Sequence, residues 1–122
     1  MTRRVLAVDD DPVIQRLLQV NLEMEGYEVT LAGDGDEAIA KVRELRPDLV
    51  LLDVMMPNRD GWSVCEEMKS DPELKDIPVV FLSARAQDAD VLRGRALGAD
   101  NYVTKPFDPI DLLELVQDLI EG

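Results

Sequence analysis

Four short apolar runs along the chain each end at a polar residue with chemistry to offer. Val5-Leu6-Ala7-Val8 leads into Asp9, Asp10 and Asp11, and Leu49-Val50-Leu51-Leu52 leads into Asp53. Val79-Val80-Phe81-Leu82 leads into Ser83, and Tyr102-Val103-Thr104 leads into Lys105. Short, continuous runs rich in β-branched residues read as strands buried on both faces, as in a parallel sheet. With a further strand over 28–32, the pattern predicts strands near 4–8, 28–32, 48–52, 79–82 and 101–104. Helical spacing between them predicts helices near 12–25, 36–45, 62–69, 86–97 and 109–120.

Strand and helix alternate five times, the signature of a doubly wound α/β domain with helices on both faces of a parallel sheet. The first helix opens with Asp11 as N-cap and Pro12 at its first position, and Gly26 closes it. Asp108 and Pro109 repeat the opening device for the last helix. At 122 residues the chain is expected to be one domain over 1–122.

All strands of a parallel sheet point one way, so the residues just beyond them gather on one edge. Open α/β sheets bind their ligands at that edge. Acids crowded there repel one another unless a cation sits among them. A hard, oxygen-liganded Mg²⁺ is the natural choice.

Charge and composition narrow the chemistry. The net charge of −13 argues against nucleic-acid binding by this chain alone, since phosphate contacts need clustered Lys and Arg. Only Lys105 lies beyond Arg95 among the basic residues. No histidine is present, which removes Ser-His-Asp triads and the usual zinc sites. No run approaches the ~18 apolar residues of a membrane span. The single Cys65 forms no internal disulfide, so a cytoplasmic setting is expected. Trp62, Cys65 and the Met residues read as packing residues.

The constellation resembles the receiver domain of bacterial two-component response regulators. The resemblance rests on Asp9-Asp10, on Asp53-Val54-Met55-Met56-Pro57 followed by Asp60-Gly61, and on Leu82-Ser83-Ala84, Gly98-Ala99-Asp100 and Lys105-Pro106-Phe107. Together with right-handed crossovers, it implies a CheY-like, flavodoxin-type sheet of strand order 2-1-3-4-5, with the first and last helices on one face. It implies that Asp53 accepts a phosphoryl group from a sensor histidine kinase or a histidine phosphotransfer protein. By the same resemblance, Asp10 binds Mg²⁺ directly, Asp9 mostly through water, and Asp53 and the Met55 carbonyl complete the protein ligands. The Ser83 hydroxyl and Lys105 would contact phosphoryl oxygens, Lys105 pairing with Asp53 before modification. A cis bond between Lys105 and Pro106 is expected. Tyr102 would be the switch aromatic that turns inward as Ser83 moves, and Met55 and Arg85 would flank the path of hydrolytic water. The output would be a protein-binding surface around the fourth helix, fifth strand and fifth helix. The expected activity is that of a regulator that takes part in its own phosphorylation and dephosphorylation, and not that of an enzyme acting on other molecules.

Rival readings fit less of the chain. Asp9-Asp10-Asp11-Pro12-Val13 also resembles the nucleophile motif of haloacid-dehalogenase-type phosphatases, but that reading leaves Asp53 unexplained. A degenerate receiver would have lost an acid or the Lys, and neither is lost. A dinucleotide domain needs Gly-x-Gly after the first strand, where this chain has acids. The last helix carries Asp111, Glu114, Asp118 and Glu121 but no Arg or Lys, which departs from the salt-bridged dimers of many DNA-linked relatives.

The first helix is broadly apolar, over an arc of about 200° at ~100° per residue. Ile14, Leu18 and Leu22 are assigned to the core. Val13, Leu17 and Val20 are assigned to a partly exposed patch which, with Phe107 and Pro109, would by resemblance meet the kinase. The alternative is that both rows are buried, the second against the last helix.

Overall fold

A computed structural model describes residues 2–85 and 87–122. Five strands alternate with five helices among these residues. The strands are β1 (Arg4–Val8), β2 (Glu28–Ala32), β3 (Leu49–Asp53), β4 (Val79–Ser83) and β5 (Asn101–Thr104). The helices are α1 (Pro12–Met24), α2 (Gly35–Leu45), α3 (Gly61–Ser70), α4 (Asp88–Ala96) and α5 (Pro109–Glu121). All strand pairs are parallel, in the order β2-β1-β3-β4-β5.

Strand side chains alternate between faces, and here each face has its own core. Leu6, Val8, Val50, Leu52, Val79 and Phe81 pack with Val42 of α2 and Val64 and Met68 of α3. Val5, Ala7, Leu49, Leu51, Val80 and Leu82 pack with Leu18 and Leu22 of α1 and Leu112 and Val116 of α5. β3 and β4 are therefore apolar at every position before their last, which is why they read as unbroken runs. α1 and α5 share a face as expected.

The helix ends follow their caps. Asp11 and Asp108 each accept a backbone N–H two residues on, from Val13 and Ile110, ahead of Pro12 and Pro109. Gly26 takes a φ of +92°, the left-handed conformation open to glycine at a helix exit. Most boundaries fall within a residue of expectation, β4 extending to include Ser83, and two differences bear on the site. β3 runs one residue later and includes Asp53 itself. α4, expected over 86–97, ends at Ala96 and begins at Asp88 with no side-chain cap from Gln87; residue 86 lies outside the described residues. Cys65 is buried as expected, and burial pushes its thiol up to about 11. No helix among the described residues is long and apolar enough to cross a membrane.

Candidate functional site

The parallel register sets the ends of β1, β3, β4 and β5 side by side. Asp53 ends β3 opposite Leu82, and Ser83 ends β4 opposite Thr104. Asp9 is 1% exposed, Asp53 5% and Ser83 1%. With Asp90 in the first turn of α4, these are the buried polar and charged side chains among the described residues. Buried charges destabilise a fold unless paired, so their gathering on one edge marks a built site.

Carboxylate oxygens of Asp9, Asp10 and Asp53 lie within 4.8 Å of one another. Burial and then the charge of Asp9 raise the Asp53 pKa, against Lys105 and the Met55 N–H, 3.4 Å from Asp53 Oδ1. Lys105 Nζ lies 2.5 Å from Asp9 Oδ2 and 3.4 Å from Asp53 Oδ2. The expected pairing with Asp53 is present, and the ammonium leans closer still to Asp9. Asp9 is the more deeply buried acid, and its Oδ1 has only the Asp11 N–H at 2.9 Å, so it gains most from a charge-assisted bond. Burial lowers the Lys105 pKa, but its bond to Asp9 and the two carboxylate charges outweigh this and raise it overall. The Lys105–Pro106 bond is cis, as expected. One ammonium facing three carboxylates leaves negative charge uncompensated. The donor set is all oxygen, so the residues present fit a hard divalent cation.

The loop after β3 is closed on itself and on α2. The Gly61 N–H reaches the Val54 carbonyl at 2.8 Å. Asn58, at φ +67°, donates to Asp34 Oδ2 at 3.0 Å, and Asp34 also caps α2. Arg59 binds Ser63 Oγ at 2.8 Å and Glu67 at 2.5 Å. Met55 is thereby kept beside Asp53.

Ser83 Oγ accepts the Arg85 N–H at 3.0 Å. The Tyr102 hydroxyl donates to the Arg85 carbonyl at 2.6 Å. The Tyr102 ring is half-buried and lies 6.0 Å from Phe81 and 6.3 Å from Trp62, centroid to centroid. Gly94 of α4 makes room for it: a Cβ there would come 3.1 Å from Phe81 Cδ2 and 3.2 Å from Tyr102 Cδ2.

On α1, Val13 is 73% exposed, Leu17 37% and Val20 38%, while Leu18 and Leu22 are buried. The alternative with both rows buried does not hold. Ile14 is only half-buried, because the first turn of α1 begins at the sheet's carboxyl edge and not over its middle. Leu17, Leu18, Phe107, Pro109 and Leu112 line an apolar groove between α1 and α5.

Sequence reasoning missed three contributors. Gln15 Nε2 donates to the Asp9 and Ala32 carbonyls at 2.6 and 3.2 Å, tying the ends of β1 and β2 together. Asp90 is buried and binds Arg85. Arg59, Glu67, Arg43 and Asp71 form a chain of ion pairs across α2 and α3. Only Gln15 left a trace in the pattern, as a polar residue next to the core position Ile14.

The model of the response regulator receiver domain matches residues 5–117. The chain is 45% identical over 117 residues to the DNA-binding dual master transcriptional regulator RpaA of Synechocystis, covering 96% of this chain and 48% of that protein. It is 44% identical to the DNA-binding response regulator MtrA of Mycolicibacterium smegmatis, over 96% of this chain and 50% of that protein. The chain thus spans about half the length of the curated relatives it matches. The solved structure of the chemotaxis response regulator CheY4 of Vibrio cholerae superposes with a TM-score of 0.91 at 34% identity, covering 98% of this chain and 99% of that one. The chain belongs to the response regulator receiver domain family, the phosphoacceptor modules of two-component signalling.

Proposed function

We propose that Asp53 is the residue that takes the phosphoryl group, and that the donor is the phosphohistidine of a sensor kinase or a histidine phosphotransfer protein. One observation carries this reading: Asp53 is a buried carboxylate with a raised pKa, set between an ammonium and two further acids, at the end of a central strand. A carboxylate oxygen attacks phosphorus as the bond to the donor imidazole breaks. Phosphoryl transfer asks the site mainly for positioning and positive charge. Asp10, Asp53 and the Met55 carbonyl would hold Mg²⁺, with Asp9 acting mostly through water. Bound there, Mg²⁺ supplies charge stabilisation to the transferring oxygens. Lys105 faces the same oxygens. The Ser83 hydroxyl accepts from Arg85 and still has a proton to donate to the phosphoryl group.

The exposed row of α1 and the groove beside Phe107 and Pro109 form the surface for the phosphohistidine partner. Tyr102 and α4 carry the change to a downstream protein. Residues 1–122 act as one receiver unit in the cytoplasm, without binding nucleic acid or membrane themselves. In a longer parent protein of the kind its relatives represent, control of DNA binding would lie outside this unit.

Intact-mass spectrometry tests the reading. Acetyl phosphate with Mg²⁺ should add one phosphoryl group to the protein, and none without the metal. Asp53→Asn should abolish the adduct and Asp11→Asn should leave it. An adduct that persists in Asp53→Asn and disappears in Asp9→Asn would move the nucleophile to the first strand and defeat the reading.

A further inference from the structure

We infer that Asp90 is a positioning residue for the lifetime of the phosphorylated state: it holds the Arg85 guanidinium against Met55, across the solvent side of Asp53. This rests on the reading of Asp53 as phosphoacceptor.

Arg85 is tied at every polar group. Its N–H is on Ser83 Oγ and its carbonyl on the Tyr102 hydroxyl. Its Nε and Nη2 both lie 3.1 Å from Asp90 Oδ1, and its Nη1 lies 3.7 Å from Met55 Sδ. The main chains of Met55 and Arg85 reach the reacting groups from two separate loops: the Met55 N–H lies toward Asp53 Oδ1, and the Arg85 N–H bonds Ser83 Oγ. Their side chains are exposed where Asp53 and Ser83 are buried. The thioether and the guanidinium therefore meet on the outer side of the carboxylate and bridge the two loops there.

A long, half-exposed arginine does not hold one position unaided, because fixing it costs rotamer entropy. Asp90 supplies the restraint. It is 7% exposed, sits on the rigid first turn of α4, and takes two of the guanidinium's nitrogens on one oxygen. A carboxylate that deeply buried is retained at a cost unless it is paired, and Arg85 is its partner.

The step at stake is hydrolysis. Water attacks phosphorus opposite the Asp53 oxygen, the bond from phosphorus to that oxygen breaks, inorganic phosphate departs, and the Asp53 carboxylate is regenerated with a proton released to solvent. An in-line approach from solvent must pass the Met55–Arg85 bridge. Freeing Arg85 opens that approach without touching a group that contacts phosphorus.

The test is the decay of the acetyl-phosphate adduct after donor removal, followed by intact mass at fixed Mg²⁺. Asp90→Asn should label to the same extent as the unaltered chain and lose the adduct several-fold faster. Arg85→Ala should decay at a similar rate, and the double variant no faster than either single one, since both remove one restraint. A merely structural role would lower the melting temperature without that non-additivity, so melting is recorded for all three. Decay unchanged or slowed in Asp90→Asn, or additive effects in the double variant, overturns the inference while leaving Asp53 as acceptor. Failure of the unaltered chain to label at all removes both.

Discussion

Lys105 holds Asp9 more tightly than it holds Asp53, at 2.5 Å against 3.4 Å. With Asp11 N–H on its other oxygen, Asp9 is engaged at both ends. On the proposed reading, the exposed Asp10 would then be the acid left to bind a metal directly, and the more loosely held Asp53 the acid left to attack. The two neighbours in sequence differ in burial, Asp9 being enclosed and Asp10 exposed, and the proposed division of roles rests on that difference.

Metal affinity should follow that division. Asp10→Asn removes a direct ligand and should weaken Mg²⁺ binding by about tenfold or more, on the scale of a charged hydrogen bond, ~1.5–3 kcal/mol. Asp9→Asn should weaken it less. Calorimetric titration compares the two, and equal affinities would contradict the assignment.

Asp53 is held at a cost in the metal-free protein. Its folded pKa is raised, so its contribution is harmless below the ordinary value of 3.8 and becomes destabilising as pH rises through the folded pKa. At pH 7 without metal, Asp53→Asn should therefore melt higher than the unaltered chain, 1 kcal/mol being worth ~4 °C for a domain of this size. Saturating Mg²⁺ should narrow or reverse the gap, since it stabilises only the chain that binds it, by about 2.7 kcal/mol at a hundred times Kd. An Asn variant that melts lower in metal-free buffer would show that Lys105 already compensates the charge.

Acid should weaken the ion pairs that join α2 to α3. Hydrogen bonds from Arg43 hold the Glu67 and Asp71 carboxyls below their usual range, Arg59 adding to the effect at Glu67. Depressed acids contribute stability above their unfolded pKa and lose it as pH falls through the lower folded values. Arg43→Ala should flatten the fall in melting temperature below about pH 4.5, where free carboxylates begin to protonate. An unchanged acid limb would show that these exposed pairs contribute nothing measurable.

Leu17→Ala and Leu18→Ala should part company. Leu18 is 2% exposed, and its truncation should cost roughly 2–5 kcal/mol. Leu17 borders the α1–α5 groove, and its loss should barely change the unfolding midpoint. As a docking residue it should slow transfer from a phosphorylated kinase domain while leaving acetyl-phosphate labelling intact. Unchanged transfer rates would remove it from the docking surface.

Gly94→Ala probes the seat of Tyr102. The added methyl meets Phe81 and Tyr102 at 3.1 and 3.2 Å, and the half-buried Tyr102 on the edge strand is the ring that can yield. Its hydroxyl should leave the Arg85 carbonyl, which NMR of the ring and of the Arg85 amide would register. Undisturbed Tyr102 resonances would mean that α4 shifts instead.

Most of the architecture was legible because β3 and β4 are buried on both faces and carry nothing polar until their last residue. That last residue also located Asp53 and Ser83, and the sheet's direction brought Asp9, Asp10 and Lys105 to them. Side-chain pairing across loops was not legible. Nothing in the spacing of Asp90, Arg85 and Met55 foretells that they touch, since the contact depends on how two separate loops lie beside each other. The preference of Lys105 for Asp9 likewise comes from relative burial, which periodicity does not encode. The α1 row was separable only by rotation about the helix, and Ile14 fell between the two faces for that reason.

The chain's one tryptophan, Trp62, is buried at the start of α3, stacks toward Tyr102, and lies beneath the Arg93 guanidinium of α4 at 4.7 Å from the ring centroid. Its indole is therefore an intrinsic optical reporter. Any rearrangement that moves the Tyr102 ring or slides α4 changes the charge and polarisability around a single emitter, so the passage between states can be followed by its emission in an unlabelled protein.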